Sequence, residues 1–170
     1  SYRAAQELYR AGNRTAAMIA GDMNLKIGRD RLDGFRKGAQ DCGLELKEED
    51  IFYGNFSMED SYQLAKKLLT REELPDALYT CNNATTLGFL KAAKEVKRKA
   101  GVDIALIGND RIDIVDILGM NISWIYRDTY NMGYTAMQLL QERFEHPDRP
   151  RSLCMIPYQV ELNGSEKKKK

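Results

Sequence analysis

The sequence predicts an α/β fold, a mostly parallel sheet flanked by helices on both faces. Three observations carry this expectation. Strand-like and helix-like runs alternate along nearly the whole chain, as they do where parallel strands are joined by crossover helices. Strand-like runs such as "DIALIG" (103–108) are almost entirely apolar, as strands covered on both faces have to be. The length of 170 residues with 43% hydrophobic content suffices for one core and sets the expectation at one domain.

The elements follow in order. "SYRAAQELYRAGNRTAAMIAG" opens inside a helical pattern (Ala4, Ala5, Leu8) with no strand before it, so a piece of a longer chain is expected. "TAAMIAG" (15–21) reads as a strand. "GRDRLDGFRKGAQDCGL" (28–44) reads as a helix, with Leu32, Phe35 and Ala39 at near-helical spacing and Gly43 suited to its carboxyl end. Residues 50–56 read as a short strand. Residues 57–74 read as a helix with Ser57 at the N-cap and Asp60 three residues on, resembling a capping box. "DALYTC" (76–81) is a strand, 83–101 a helix ending at Gly101, and "VDIALIGND" (102–110) a strand. Residues 113–119 make one or two helical turns and "ISWIYRD" (122–128) a strand, in which Trp124 and Tyr126 suit sheet packing. Residues 129–146 form a helix stopped by Pro147, with His146 beside the helix dipole. A last strand covers 151–162, where Pro157 suggests an edge or a bulge.

Composition narrows the function. A net charge of +1 gives no global basic surface for nucleic acid. The three cysteines, an odd number, read as reduced thiols, which favours the cytosol; Cys81 and Cys154 sit in apolar runs and are expected to be buried. No stretch reaches the roughly 18 apolar residues of a membrane span, and no signal peptide is visible. "GSEKKKK" reads as a solvated tail. One histidine and three scattered cysteines offer neither a nucleophile triad nor zinc spacing. Phosphate-cradling glycine loops are missing, and no carboxylate pair stands out as acid and base. No cofactor is therefore expected.

In open α/β sheets, ligands bind beyond the carboxyl ends of the strands. The residues following each strand-like run are Arg29 and Arg31, then Phe56, then Asn82 and Asn83, then Asn109 and Asp110, then Arg127 and Asp128. Guanidinium forks, a carboxylate, amides and an aromatic suit a small polar ligand. Each also has a plain structural reading. Asn83 is expected to cap the helix it opens, Asp110 could start the next turn, Arg31 could be a surface charge, and Phe56 could be a staple before Ser57.

Three blocks together carry a resemblance. They are "GNRTAAMIAGDMNLKIGRDRLDGFRKGAQDCGL", "PDALYTCNNATTLGFLKAAKEV" and the stretch from "VDIALIGND" to "YQVELNGS". In order and spacing they are similar to the effector-binding region of the lac/gal repressor (LacI/GalR) family of transcription regulators, over nearly the whole chain to Ser165. The resemblance implies a periplasmic-binding-protein-like core represented by its carboxy-terminal portion. Residues 1–128 would form the carboxy-terminal subdomain. Residues 129–150 would be a crossover helix belonging to the amino-terminal subdomain, 151–165 the return strand, and 166–170 a disordered tail. It implies a small-molecule effector (sugar, sugar phosphate or purine-like) and operator DNA bound through an amino-terminal helix-turn-helix. It further implies a homodimer, a cytoplasmic location, no enzymatic activity and no membrane association. By motif, the implied ligand contacts are Arg31, Asp110, Asn82, Phe56 and Arg127, with Ile27 and Arg29 at the pocket edge. The chain departs from the family pattern at Asn13 (usually His), Asn83 (usually Asp) and Asn109 (usually aromatic or apolar). "SWIYRD" also replaces a Thr-Thr-Val block. Two further readings stand beside this one: an exported sugar-binding protein of the same fold, and a small α/β enzyme.

Overall fold

The computed structural model describes residues 1–168. In chain order the elements are α1 (Tyr2–Arg10), β1 (Thr15–Ala20), α2 (Lys26–Cys42), β2 (Glu45–Tyr53), α3 (Met58–Leu69), β3 (Ala77–Thr80) and α4 (Asn83–Glu95). They continue with β4 (Ala105–Asn109), α5 (Asp113–Ile117), β5 (Ser123–Arg127), α6 (Thr129–Glu145) and β6 (Tyr158–Glu161). The strands form one sheet in the order β2-β1-β3-β4-β5-β6. β1 to β5 run parallel and β6 pairs antiparallel with β5. The expected α/β class and mostly parallel sheet are borne out.

Strand alternation sorts the core into two layers. Along β1, Ala16, Met18 and Ala20 face one layer with Ala4, Ala5, Leu8, Leu32 and Phe35 of α1 and α2. Ala17 and Ile19 face the other, with Leu68 and Leu69 of α3, Phe89 of α4 and Val115 of α5. The central strands β1, β3 and β4 are buried throughout, which explains their unbroken apolar runs. On the second face, Gly88 lets α3 and α4 touch backbone to backbone, since a Cβ there would lie 2.5 Å from the Met58 carbonyl oxygen.

Several boundaries differ from the sequence reading, each for a local reason. β2 begins at Glu45 and ends at Tyr53, rather than spanning 50–56. Its first half is an exposed edge with no apolar signal, and residues 54–56 turn away. α3 stops at Leu69, not 74, because Arg71 leaves the helix to pair with Asp50 and lie over Phe52. α4 stops at Glu95, not 101. Lys97 takes the left-handed conformation (φ 58) and the Arg98 amide donates to the Ala93 carbonyl, a Schellman closure without glycine. β4 starts at Ala105, after a turn through Val102 and Asp103. Asn82, not Asn83, caps α4; its side chain accepts from the Thr85 amide while Thr85 Oγ1 accepts from the Asn82 amide. Ser57 caps α3 as expected, but the Asp60 carboxylate turns to the Asn55 amide. The last strand is only Tyr158–Glu161, directly after Pro157, at the sheet edge. Residues 151–157 lie outside regular structure, so Cys154 is exposed and not buried.

The segment after β6 is tied down. Ser165 bridges the amino-terminal ends of β4 and β5. Its Oγ accepts from the Ser123 amide (2.8 Å) and donates to the Leu106 carbonyl (2.7 Å), and its own carbonyl accepts from the Leu106 amide (2.6 Å). Glu166 is buried beside it, accepting from Ser123 Oγ and the Gly164 amide, while its carbonyl accepts from Asn13 Nδ2. A disordered tail from 166 therefore does not hold at Glu166, and residues 169–170 lie outside the described residues. Asn13, at the family's histidine position, joins α1 to this strap by donating also to the Leu8 carbonyl.

Ser165→Ala would leave a buried amide and a buried carbonyl without partners, each costing about 1–3 kcal/mol. The expected outcome is a clearly lower urea midpoint with an unchanged slope. An unmoved midpoint would show that the strap contributes nothing to the sheet.

Candidate ligand-binding site

The chain winds from β1 outward to β2 through α2, then crosses back over β1 to β3 through α3. The winding reverses between β1 and β3, and that crevice is where an open α/β sheet takes its ligand. α2 is short of polar alternatives at its buried face: Arg31, Leu32 and Phe35 point at the sheet. Arg31 is 9% exposed, one helical turn before Phe35, and therefore lies at the strand ends. A surface charge, one of its two sequence readings, is excluded.

Arg31 is held from three sides. Nη1 donates to the Cys81 carbonyl oxygen at the end of β3. Nη2 lies 3.4 Å from Asp110 Oδ2. The Phe56 ring centre is 6.0 Å from the guanidinium carbon. Asp110 directly follows β4 in the left-handed conformation (φ 66), and its amide donates to the Ile125 carbonyl, which turns the carboxylate out of the sheet. Arg127, at the end of β5, reaches Asp110 Oδ1 at 3.9 Å. Both distances exceed those of a saturated charge-assisted bond, about 2.7–2.9 Å. The carboxylate keeps capacity for a further donor.

Phe56 is also left-handed (φ 69), and its ring lies over Gly21, where a Cβ would come within 1.9 Å of it. Asn82 donates from Nδ2 to the Phe56 carbonyl (3.2 Å) while its Oδ1 caps α4. Both ends of that amide are thus engaged in holding the aromatic and the helix. Arg29 and Ile27 are exposed. The Arg29 guanidinium donates to the carbonyls of Met23 (2.7 Å) and Asn24 (2.9 Å), so it braces the β1–α2 loop. The structure therefore gathers Arg31, Asp110, Arg127 and Phe56, places Asn82 behind Phe56, and leaves Arg29 and Ile27 at the margin.

Below the rim lies a polar chain that sequence reasoning did not single out. Tyr79 stacks on Phe35 with ring centres 4.9 Å apart, donates to Asn109 Oδ1 (3.0 Å), and lies 2.9 Å from Ser1 Oγ. A tyrosine amid the apolar β3 run was the available signal, because a buried hydroxyl has to find a partner. Burial pushes the Tyr79 hydroxyl pKa up, and pushes the Cys81 thiol up to about 12, so both stay protonated and neutral. Among the described residues no group of three or more histidine, cysteine or acidic side chains could hold a metal ion, and no helix is long and apolar enough to cross a membrane.

The switch point of this parallel sheet thus carries an arginine, an aspartate and an aromatic. Comparison with known proteins supplies the family. The family model "Periplasmic binding protein-like domain" matches residues 5–165, and the chain belongs to that family. The "HTH-type transcriptional repressor PurR" of Haemophilus influenzae (strain PittEE) is 31% identical over 147 residues, covering 86% of this chain and 44% of that protein. The repressor of the same name from Mannheimia succiniciproducens is 28% identical over 167 residues, covering 98% and 50%. A LacI-family regulatory protein from Chloroflexus aggregans superposes with a TM-score of 0.86 at 25% identity, covering 96% of this chain and 59% of that one. A LacI-family regulator from Enterococcus faecium with bound ribose gives a TM-score of 0.85 at 21% identity, covering 99% and 62%. The resemblance to the effector-binding portion of lac/gal repressors is borne out. The chain spans about half the length of the relatives it matches.

Proposed function

We propose that this chain is the ligand-sensing portion of a DNA-binding transcriptional repressor. In this reading it binds a small polar effector over the β1/β3 switch point. The observation that carries the reading is the Arg31–Asp110 pair, a buried guanidinium and a half-exposed, unsaturated carboxylate at the strand ends. Arg31, Asp110 and Arg127 would supply directional polar contacts, and Phe56 a flat apolar face. Asn82 would act by positioning Phe56, with Ile27 and Arg29 at the entrance. Relatives named as transcriptional repressors support this reading over an exported sugar-binding protein and over an enzyme, and with it a cytoplasmic location. DNA binding and dimerisation would reside in a whole protein of the relatives' length, about twice that of this chain.

The second subdomain is part of the same proposal. α6 has no buried residue, and it exposes Tyr130, Met132, Tyr134, Met137, Leu139, Leu140 and Phe144. Large apolar side chains exposed along a whole helix mark a surface that another body covers. We assign residues 129–150 to the amino-terminal subdomain, with 151–165 returning the chain to the sheet. A ligand held between the two subdomains would shift their closure only by binding one arrangement more tightly than the other.

Two outcomes are expected. In a thermal-shift screen of the full-length protein against sugars, sugar phosphates and purines, a stabilising ligand should lose its effect in both Arg31→Ala and Asp110→Ala. A shift that survives both would move the site elsewhere. Amide exchange across residues 129–145 should be markedly slower in the full-length protein than in residues 1–170 alone. Equal rates would refute the assignment of α6 to the other subdomain.

A further inference from the structure

Asn109 occupies the position before Asp110 where the family pattern carries an aromatic or apolar residue. It is 4% exposed, and its Nδ2 has no hydrogen-bond partner among the described residues. Arg31 Nε is a second buried donor without a partner. The third such donor, Trp124 Nε1, belongs to the opposite face of the sheet.

The first two share neighbours on one face of the sheet. Strand alternation puts Asn109 on the same face as Ala105 and Ile107, the side covered by α1 and α2. Its Oδ1 accepts from Tyr79, whose ring stacks on Phe35, one turn of α2 from Arg31. Asn109 is joined directly to Asp110, which Arg31 contacts. Buried donors without acceptors are costly, so a fold retains them where something else supplies the acceptor.

The charge at the rim has the matching sign. Arg31 and Arg127 stand at the strand ends, while Arg29 braces its own loop at the margin. Of the neighbouring carboxylates, Asp22 accepts from the Asn24 amide and side chain, and Asp128 caps α6 through the Asn131 amide. Asp110 is the one carboxylate that contacts Arg31 and Arg127 among the described residues, one negative charge against two positive. We infer that Asn109 is a specificity-determining residue of the ligand site, and that with Arg31 it selects a ligand bearing an anionic, acceptor-only group, a carboxylate or a phosphate. This inference rests on the site reading proposed above. A hydroxyl can also accept these bonds, but it carries a proton that needs its own acceptor and leaves the excess guanidinium charge unmatched.

The test is calorimetric titration of the full-length protein with matched probes: D-glucose, D-glucuronate and D-glucose 6-phosphate, then hypoxanthine and inosine 5′-monophosphate. At least one anionic probe is expected to bind about tenfold or more tightly than its neutral counterpart. Glucuronate against glucose 6-phosphate separates carboxylate from phosphate. Asn109→Leu, which keeps the volume and removes the amide, and Asn109→Asp, which adds a like charge to the ligand's, should each remove most of that ratio. The ratio within one variant serves as its own folding control, and Asn109→Asp keeps the acceptor for Tyr79 should Asn109→Leu fail to fold. Neutral probes binding as tightly as the anions, no anion binding at all, or a ratio unmoved in the folded variants would each overturn the inference. If Arg31→Ala abolishes binding while Asn109 variants leave the ratio intact, the site stands and the inference alone falls. If binding survives Arg31→Ala and Asp110→Ala, the site reading fails and the inference with it.

Discussion

A guanidinium buried at the carboxyl ends of a parallel sheet has to be neutralised and hydrogen-bonded where it sits, and much of the local structure follows from that. Burying a charge is costly unless it is paired and hydrogen-bonded. Its partners come from three separate stretches of chain: the Cys81 carbonyl at the end of β3, the Asp110 carboxylate after β4 and the Phe56 ring after β2, while Arg127 reaches the same carboxylate from the end of β5. Two of these residues, Phe56 and Asp110, adopt left-handed backbone conformations that side chains other than glycine rarely take. Strain of that kind persists where surrounding contacts over-determine it, and it concentrates at ligand sites.

The opposite end of the sheet answers a different requirement. β4 and β5 pair from Ile107 and Ser123 onward, and before that point Ser165 supplies the hydrogen bonds that join them. The strap holding Ser165 also buries Glu166 against Ser123 and connects to α1 through Asn13. β5 is thereby anchored at its beginning by the strap and along its length by β6, and its far end presents Arg127 to Asp110. Ser165 and Glu166 thus help set the position of a group at the Arg31 rim.

Much of the fold was legible in the sequence because burial on both faces leaves an unmistakable pattern. The apolar runs of β1, β3 and β4 and the spacing of Leu32, Phe35 and Ala39 in α2 needed no tertiary information. Boundaries failed where a tertiary partner overrode the local pattern. Arg71 ends α3 by pairing with Asp50, and Lys97 closes α4 in a conformation that sequence rules reserve for glycine. Glu166 reads as tail because a carboxylate before a lysine run carries no sign that Ser123, at the start of the neighbouring strand β5, will donate to it. At the site, residue types after each strand pointed to Arg31, Phe56, Asp110 and Arg127. The pattern could not show that Asn82 is spent on holding Phe56 and α4, or that Arg29 turns back to its own loop. The Tyr79–Asn109 chain was hidden because hydrogen bonding between neighbouring strands is not a sequence pattern.

The central claim is that the Arg31 rim receives the effector. The most direct measurement is the backbone amide chemical-shift map of the isotope-labelled full-length protein, titrated with a ligand that stabilises it. The largest changes should cluster at residues 27–31, 54–57, 81–83, 108–111 and 127, with the Ser165 strap unmoved. A map centred instead on the cleft lined by Glu45, Asp50, Arg71 and Pro75, at the other end of the sheet, would contradict it.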